Sequence, residues 1–185
     1  MTRVIAGEHK GRELKVPKSV TRPTSSKVRE AIFSTVNHAL SGLTDLRVLD
    51  LYAGSGAYAI EALSRGAHDA VAIEKDSRAA QVIKSNCESL NLTNLKTVTM
   101  DVHTALSGQP QFGKFDLVFI DPPYAVTDSA ISQLLESLVH GWLTDGALVV
   151  VERAKSSVFT APAELPEFAR KVYGDTSVWY GQYAN

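Results

Sequence analysis

At 185 residues, with 44% apolar and 21% charged residues and a net charge of −1, the chain has the size and balance of one globular domain. No apolar run reaches the roughly 20 residues of a membrane helix, the N-terminus lacks a signal-peptide core, and the single Cys87 excludes an internal disulfide framework. A cytoplasmic protein is expected, and the scattered His9, His38, His68, His103 and His140 show no metal-ligand spacing, so no metal is expected either.

In chain order, residues 1–30 hold eight basic residues against Glu8, Glu13 and Glu30, which leaves the remainder acidic. Arg3 to Val16 alternates loosely around Gly7 and Gly11 and predicts a short hairpin or extended arm. A basic arm on an acidic body suits a polyanionic partner. Pro17 and Pro23 bracket a loop, after which Ser25 or Ser26 caps a helix with the apolar face Val28, Ile32, Phe33, Val36 and Leu40. Beyond Ser41-Gly42 the pattern alternates. Strands are predicted over 47–52, 70–74, 95–100, 115–120 and 147–152, the last after an Asp145-Gly146 turn. Helices are predicted over 57–65, 77–90 and 129–140. Strands separated by helices imply a parallel sheet covered on both faces. Two final strands, 168–173 and 177–183 around Gly174-Asp175, have no helix between them and predict an antiparallel pair at one edge.

Acidic residues stand at the carboxyl ends of four of these strands, the edge where open α/β sheets bind ligands. Asp50 leads into Leu51-Tyr52-Ala53-Gly54-Ser55-Gly56, a loop that brings backbone close to a ligand at a helix start. Glu74 ends the second strand at the usual spacing for a ribose-binding acid, and Asp101 ends the third, where an adenine amino group would lie. The stretch from Gly54, G-S-G-A-Y-A, meets only the looser dinucleotide pattern. Asp50 before the loop suits a cationic ligand portion. S-adenosylmethionine carries an amino group and a sulfonium and no phosphate, so it is favoured over NAD.

Asp121-Pro122-Pro123-Tyr124 follows the buried run Phe115 to Ile120. Two prolines remove two N–H donors and stiffen the turn. Asp121 and the Pro122 carbonyl offer acceptors, and Tyr124 a stacking ring, for a planar ligand bearing an amino group. A nucleobase fits, provided it is unpaired or flipped out. Alignment of the nucleophile with the methyl group is then the main task, and Asp121 need not be a strong base.

These residues resemble the bacterial RsmD family over nearly the whole chain. The likeness rests on Arg3-Val4-Ile5-Ala6-Gly7 with Gly11-Arg12, then Arg22-Pro23-Thr24 and Val28-Arg29-Glu30. It continues with Leu49 to Gly56, Glu61-Ala62-Leu63-Ser64-Arg65-Gly66-Ala67 and Asp121 to Tyr124. The resemblance implies a Rossmann-like methyltransferase with a seven-stranded sheet, which would act on guanine N2 in small-subunit (16S) ribosomal RNA. Asp50, Ala53, Gly54 and Gly56 would bind the methionine part of S-adenosylmethionine, Glu74 the ribose and Asp101 the adenine. Asp121, Pro122 and Tyr124 would hold the guanine. Arg3, Lys10, Arg12, Arg22, Thr24 and Arg29 would contact RNA, with residues 1–23 as the arm and 24–185 as the methyltransferase domain. The family usually has Leu-Gly where this chain has Tyr58-Ala59, and commonly Phe at the Tyr124 position. With no apolar helix left for a dimer seam, a monomer is expected. An NAD-dependent oxidoreductase, a silent RNA-binding assembly factor and a DNA or RNA adenine-N6 methyltransferase are the alternatives; no second domain for duplex DNA readout is evident.

Overall fold

The structure is a computed structural model that describes residues 2–17 and 25–184. Its elements follow the predicted order. A two-residue pair, β1 (Thr2–Arg3) and β2 (Glu13–Leu14), precedes helix α1 (Ser26–Ala39). The alternating body comprises β3 (Arg47–Leu51), α2 (Ala57–Ser64), β4 (Asp69–Glu74), α3 (Ser77–Leu90), β5 (Leu95–Thr99), α4 (Val102–Leu106), β6 (Phe115–Ile120), α5 (Asp128–Val139) and β7 (Leu143–Ala154). The hairpin β8 (Glu167–Tyr173) and β9 (Thr176–Gln182) closes the chain. The seven-stranded sheet has the order β5-β4-β3-β6-β7-β9-β8. It is parallel from β5 to β7; β9 runs antiparallel to both β7 and β8. The chain leaves β3 toward β4 on one side and returns to β6 on the other, so β3 and β6 flank the switch point where a crevice opens at their carboxyl ends.

The central strands carry apolar residues in continuous runs because both of their faces are covered. Leu49 and Leu51 of β3 pack with Ile131, Leu134, Leu135 and Leu138 of α5 and with α4. Val48 of β3 faces the other way, toward Ile32, Phe33 and Val36 of α1 and Tyr58, Ala59 and Ala62 of α2. Helix α1 begins where expected, with the Ser25 hydroxyl accepting the Val28 N–H at 3.2 Å. Helix α2 is buried from Tyr58 to Ser64 rather than along one stripe. The sheet lies on one side of it and the N-terminal hairpin on the other, where Val4 and Leu14 pack on Ile60 and Leu90.

Two features depart from the predicted elements. The five-residue helix α4 was not expected; its signal is Asp101, whose carboxylate caps it by accepting the His103 and Thr104 N–H groups. The Asp145-Gly146 turn is instead a bulge within a longer β7. The register with β6 jumps between Phe115↔Leu143 and Leu117↔Leu148, Gly146 takes φ 78°, and its N–H bonds the Tyr183 carbonyl.

Candidate active site

The N-terminal hairpin is fastened to the body rather than projecting from it. The Glu61 carboxylate, inside α2, accepts the Ile5 N–H at 2.7 Å, the Ala6 N–H at 3.0 Å and the Arg65 guanidinium at 2.8 Å. Ser64 receives the His9 N–H at 3.0 Å and donates to the Ala6 carbonyl at 2.6 Å. Gly7 lies so close beneath that a Cβ there would stand 1.7 Å from the Ser64 carbonyl oxygen. Lys15 and Asn86 exchange two hydrogen bonds, and the Asn86 amide also donates to the Ser55 carbonyl, tying the hairpin to the loop after β3.

The cations expected to meet RNA therefore divide. Lys10 and Arg12 are exposed; Arg12 donates to the Ser89 carbonyl at 2.8 Å, and Arg3 is exposed and paired with Glu13 at 3.1 Å. Arg29 is not a surface cation. It is 2% exposed, donates to the Arg3 carbonyl, stands 4.0 Å from Glu61 and has its pKa lowered by burial against the pull of Glu61. Arg22 and Thr24 lie outside the described residues.

A cleft of about 430 Å³ opens over the switch point. One half is walled by Tyr52, Ala53, Gly54, Ser55, Glu74 and Asp76. The other holds Asp121, Pro122, Pro123, Tyr124, Glu152 and Arg153, with Arg29 and Thr2 also on its lining. In the first half, the chain leaves β3 through three left-handed residues, Tyr52 (φ 60°), Gly54 (φ 56°) and Gly56 (φ 74°). A non-glycine residue is strained in this conformation, and such strain gathers at ligand sites. The Tyr52 ring is half-buried, and burial, then Asp101, raises its pKa. Glu74 stiffens the loop: one carboxylate oxygen accepts the Gly54 N–H at 2.9 Å, the other the Asp76 N–H at 2.8 Å.

Three residues expected at the cofactor stand at helix starts beside the cleft. Asp50 is 1% exposed and does not line the cleft; its carboxylate accepts the Ala59 N–H at 3.1 Å in the first turn of α2. Gly56, the N-cap of α2, has no side chain to cap with, so Asp50 serves that helix start from β3. Burial pushes the Asp50 carboxyl well above the usual carboxylate range, Ala59 pulls it down, and Asp121 and Glu74 push it up. Gly56 lies beneath the loop, where a Cβ would meet Ile83 at 3.1 Å. Asp101 caps α4, and it is its neighbour Val102 that reaches the lining.

In the second half, Tyr124 is 69% exposed at the mouth. Its loop is held from below: the Val126 N–H bonds the Pro123 carbonyl at 2.9 Å, and Arg153 donates to the Val126 carbonyl at 2.7 Å. Asp128 accepts from Ser157, from the Val158 N–H at 2.7 Å and from Arg153 at 3.2 Å; the Ser157 hydroxyl leads in lowering its pKa. Tyr58, Glu152 and Arg153 carried no expectation from the sequence, because no short motif marks them. Among the described residues no group of His, Cys, Asp and Glu converges as a metal site, and no helix is long and apolar enough to cross a membrane.

Residues 2–182 match the family described as Conserved hypothetical protein 95. The chain is 36% identical over 181 residues to ribosomal RNA small subunit methyltransferase D of Escherichia coli K12, covering 95% of this chain and 86% of that protein. The protein of the same description from Haemophilus influenzae is 33% identical, with 99% and 93% covered. Among solved structures, yhhF of Escherichia coli, described as a methyltransferase, superposes with a TM-score of 0.84 at 33% identity over 99% of this chain and 98% of that one.

Proposed function

The chain belongs to the RsmD family, matched over residues 2–182, and from that premise we propose that it transfers a methyl group from S-adenosylmethionine to the exocyclic N2 of a guanine in small-subunit (16S) ribosomal RNA. The observation that carries the reading is the shared cleft. The Gly54 loop and Glu74 wall one half and Asp121 to Tyr124 the other, so a cofactor and a base would meet over the β3–β6 switch point.

The lining fits the cofactor. The cleft is of small-molecule size. Glu74 makes one hydrogen bond per oxygen inside the protein, and a carboxylate has about four acceptor positions, so it keeps capacity for ribose hydroxyls. Ala53 and Gly54 present backbone to the methionine part, and Val102, beside Asp101, presents an apolar edge to adenine. When bound there, S-adenosylmethionine supplies an electrophilic methyl group on a positively charged sulfur.

The remaining work falls to the second half. Guanine N2 is a poor nucleophile because its lone pair is shared with the ring. Asp121 and the Pro122 carbonyl accept its two N–H bonds, favour a pyramidal nitrogen and aim its lone pair at the methyl carbon. The proton that methylation makes acidic would leave N2 by way of Asp121. Tyr124 stacks on the base. Lys10, Arg3 and Arg12 on the hairpin surface face the RNA backbone, a partner whose grip weakens with salt. The protein works as a cytoplasmic monomer.

The test is transfer of labelled methyl from S-adenosylmethionine to unmodified small ribosomal subunits, with free RNA, duplex DNA and Asp121→Ala in parallel. Label recovered as N2-methylguanine and lost in Asp121→Ala is the expected result. Label on adenine, or none on any acceptor despite cofactor binding, contradicts the proposal.

A further inference from the structure

Glu152 stands in the acceptor half of the cleft without a part in the transfer just described. Its position follows from strand register. β6 and β7 pair in parallel at Phe119↔Val150 and Ile120↔Val151, so the next positions along the rim are Asp121 and Glu152. Two carboxylates thus stand at neighbouring positions of adjacent strands, whose backbones lie roughly 4.8 Å apart in the hydrogen-bonding direction. Alternation along β7 sends Glu152 to the same face as Val150, which packs in the core with Tyr58 and Phe119.

There the Tyr58 hydroxyl donates to a Glu152 carboxylate oxygen at 2.8 Å. The Tyr58 ring is 7% exposed and stacked on Phe119 at 4.7 Å and 20°. It has little freedom, so it fixes the direction in which Glu152 points.

A carboxylate oxygen accepts hydrogen bonds. Two such groups side by side match a base edge with two adjacent donors. Guanine presents N1–H beside its N2 amino group. Adenine and cytosine each place an amino group beside a bare ring nitrogen, whose lone pair would face the second carboxylate. We propose that Glu152, positioned by Tyr58, accepts guanine N1–H while Asp121 accepts from N2, and that this pair of acceptors selects the base. The inference rests on the guanine-N2 reading above and deepens it.

The test uses small subunits reconstituted with guanine or 2,6-diaminopurine at the position the wild-type protein labels. Diaminopurine keeps the N2 amino group and replaces N1–H with an acceptor. Wild-type protein should prefer guanine by at least about 100-fold in kcat/KM, since a site built around a hydrogen bond strongly rejects an analogue that lacks it. In Glu152→Gln the amide can donate to the bare N1, and the preference should shrink at least about tenfold. Tyr58→Phe keeps the ring packing, and a smaller shrinkage of about threefold should follow from its missing hydroxyl. Cofactor affinity within about twofold of wild type shows that both variants are folded. An unchanged guanine preference in Glu152→Gln overturns the inference and leaves the N2 reading standing. Failure of the wild-type protein to label guanine N2 overturns both.

Discussion

The two halves of the cleft are built on opposite plans. On the β3–β4 side the polar groups are turned to the protein itself: Glu74 holds Gly54 and Asp76, and Asp50 is buried under the loop to hold the start of α2. On the β6–β7 side the Asp121 turn is braced from below by Arg153 and Asp128, while the Tyr124 ring stays exposed at the mouth. The first half is a rigid seat whose shape exists before anything binds. The second is a braced platform that presents groups outward to a large partner. Preorganised backbone suits a small cofactor, and an exposed ring suits a base delivered by a macromolecule.

This contrast can be broken from either side. Asp121→Ala should cause the largest loss, about 10²- to 10⁴-fold in methyl transfer, with the cofactor still bound. Glu74→Ala should act on the other half. Loss of a charged acceptor weakens cofactor binding by about 1.5–3 kcal/mol, or roughly ten- to a hundredfold in Kd by calorimetry. Tyr124→Ala should weaken RNA capture by about 1–3 kcal/mol in a filter-binding assay, while Tyr124→Phe stays near wild type. Lys10→Ala should flatten the dependence of log K on log salt by about 0.7–0.9 for each phosphate that Lys10 neutralises.

The smallest effect concerns Cys87. It packs with Ala53, Ala72 and Ile83 beneath the cofactor loop, and burial pushes its thiol up to about 11. Thiolate forms only toward that pH, so at pH 8 a thiol reagent should label it on unfolding and not before. Cofactor saturation should slow that labelling further.

Much of this contrast was legible in the residues. The alternating body could be read because helix and strand periods differ and because Ala70 to Ile73 of β4 and Leu117 to Ile120 of β6 are continuous apolar runs. The rule that acids at strand ends mark a ligand edge led to Glu74 and Asp121, both on the cleft lining. The same rule selected Asp50 and Asp101, whose contacts are with helix starts. A carboxylate at a strand end can serve a helix N-terminus as well as a ligand, and the hydrogen bonds of these two go to the helices.

The N-terminal segment reads as a short hairpin or extended arm, and the β1–β2 pair is that hairpin; the sign that it docks lies elsewhere, in the acid Glu61 within helix α2. Buried, that acid needs partners, and the hairpin's N–H groups and two arginines supply them. Deleting the hairpin would therefore strip Glu61 of two N–H partners and uncover Ile60 and Leu90, so single charge substitutions are the cleaner probe of RNA contact. Tyr58 and Glu152 lay beyond sequence reading because 94 positions separate two residues that meet only where α2 packs on the sheet.

The most direct measurement sets cofactor affinity and methyl transfer side by side for Asp121→Ala and Glu74→Ala. Asp121→Ala should bind S-adenosylmethionine within about twofold of wild type and transfer almost nothing, whereas Glu74→Ala should recover much of its transfer rate when the cofactor is raised to saturation. A single pattern of loss in both variants, with affinity and rate falling together, would contradict the division of the cleft into a cofactor seat and an acceptor platform.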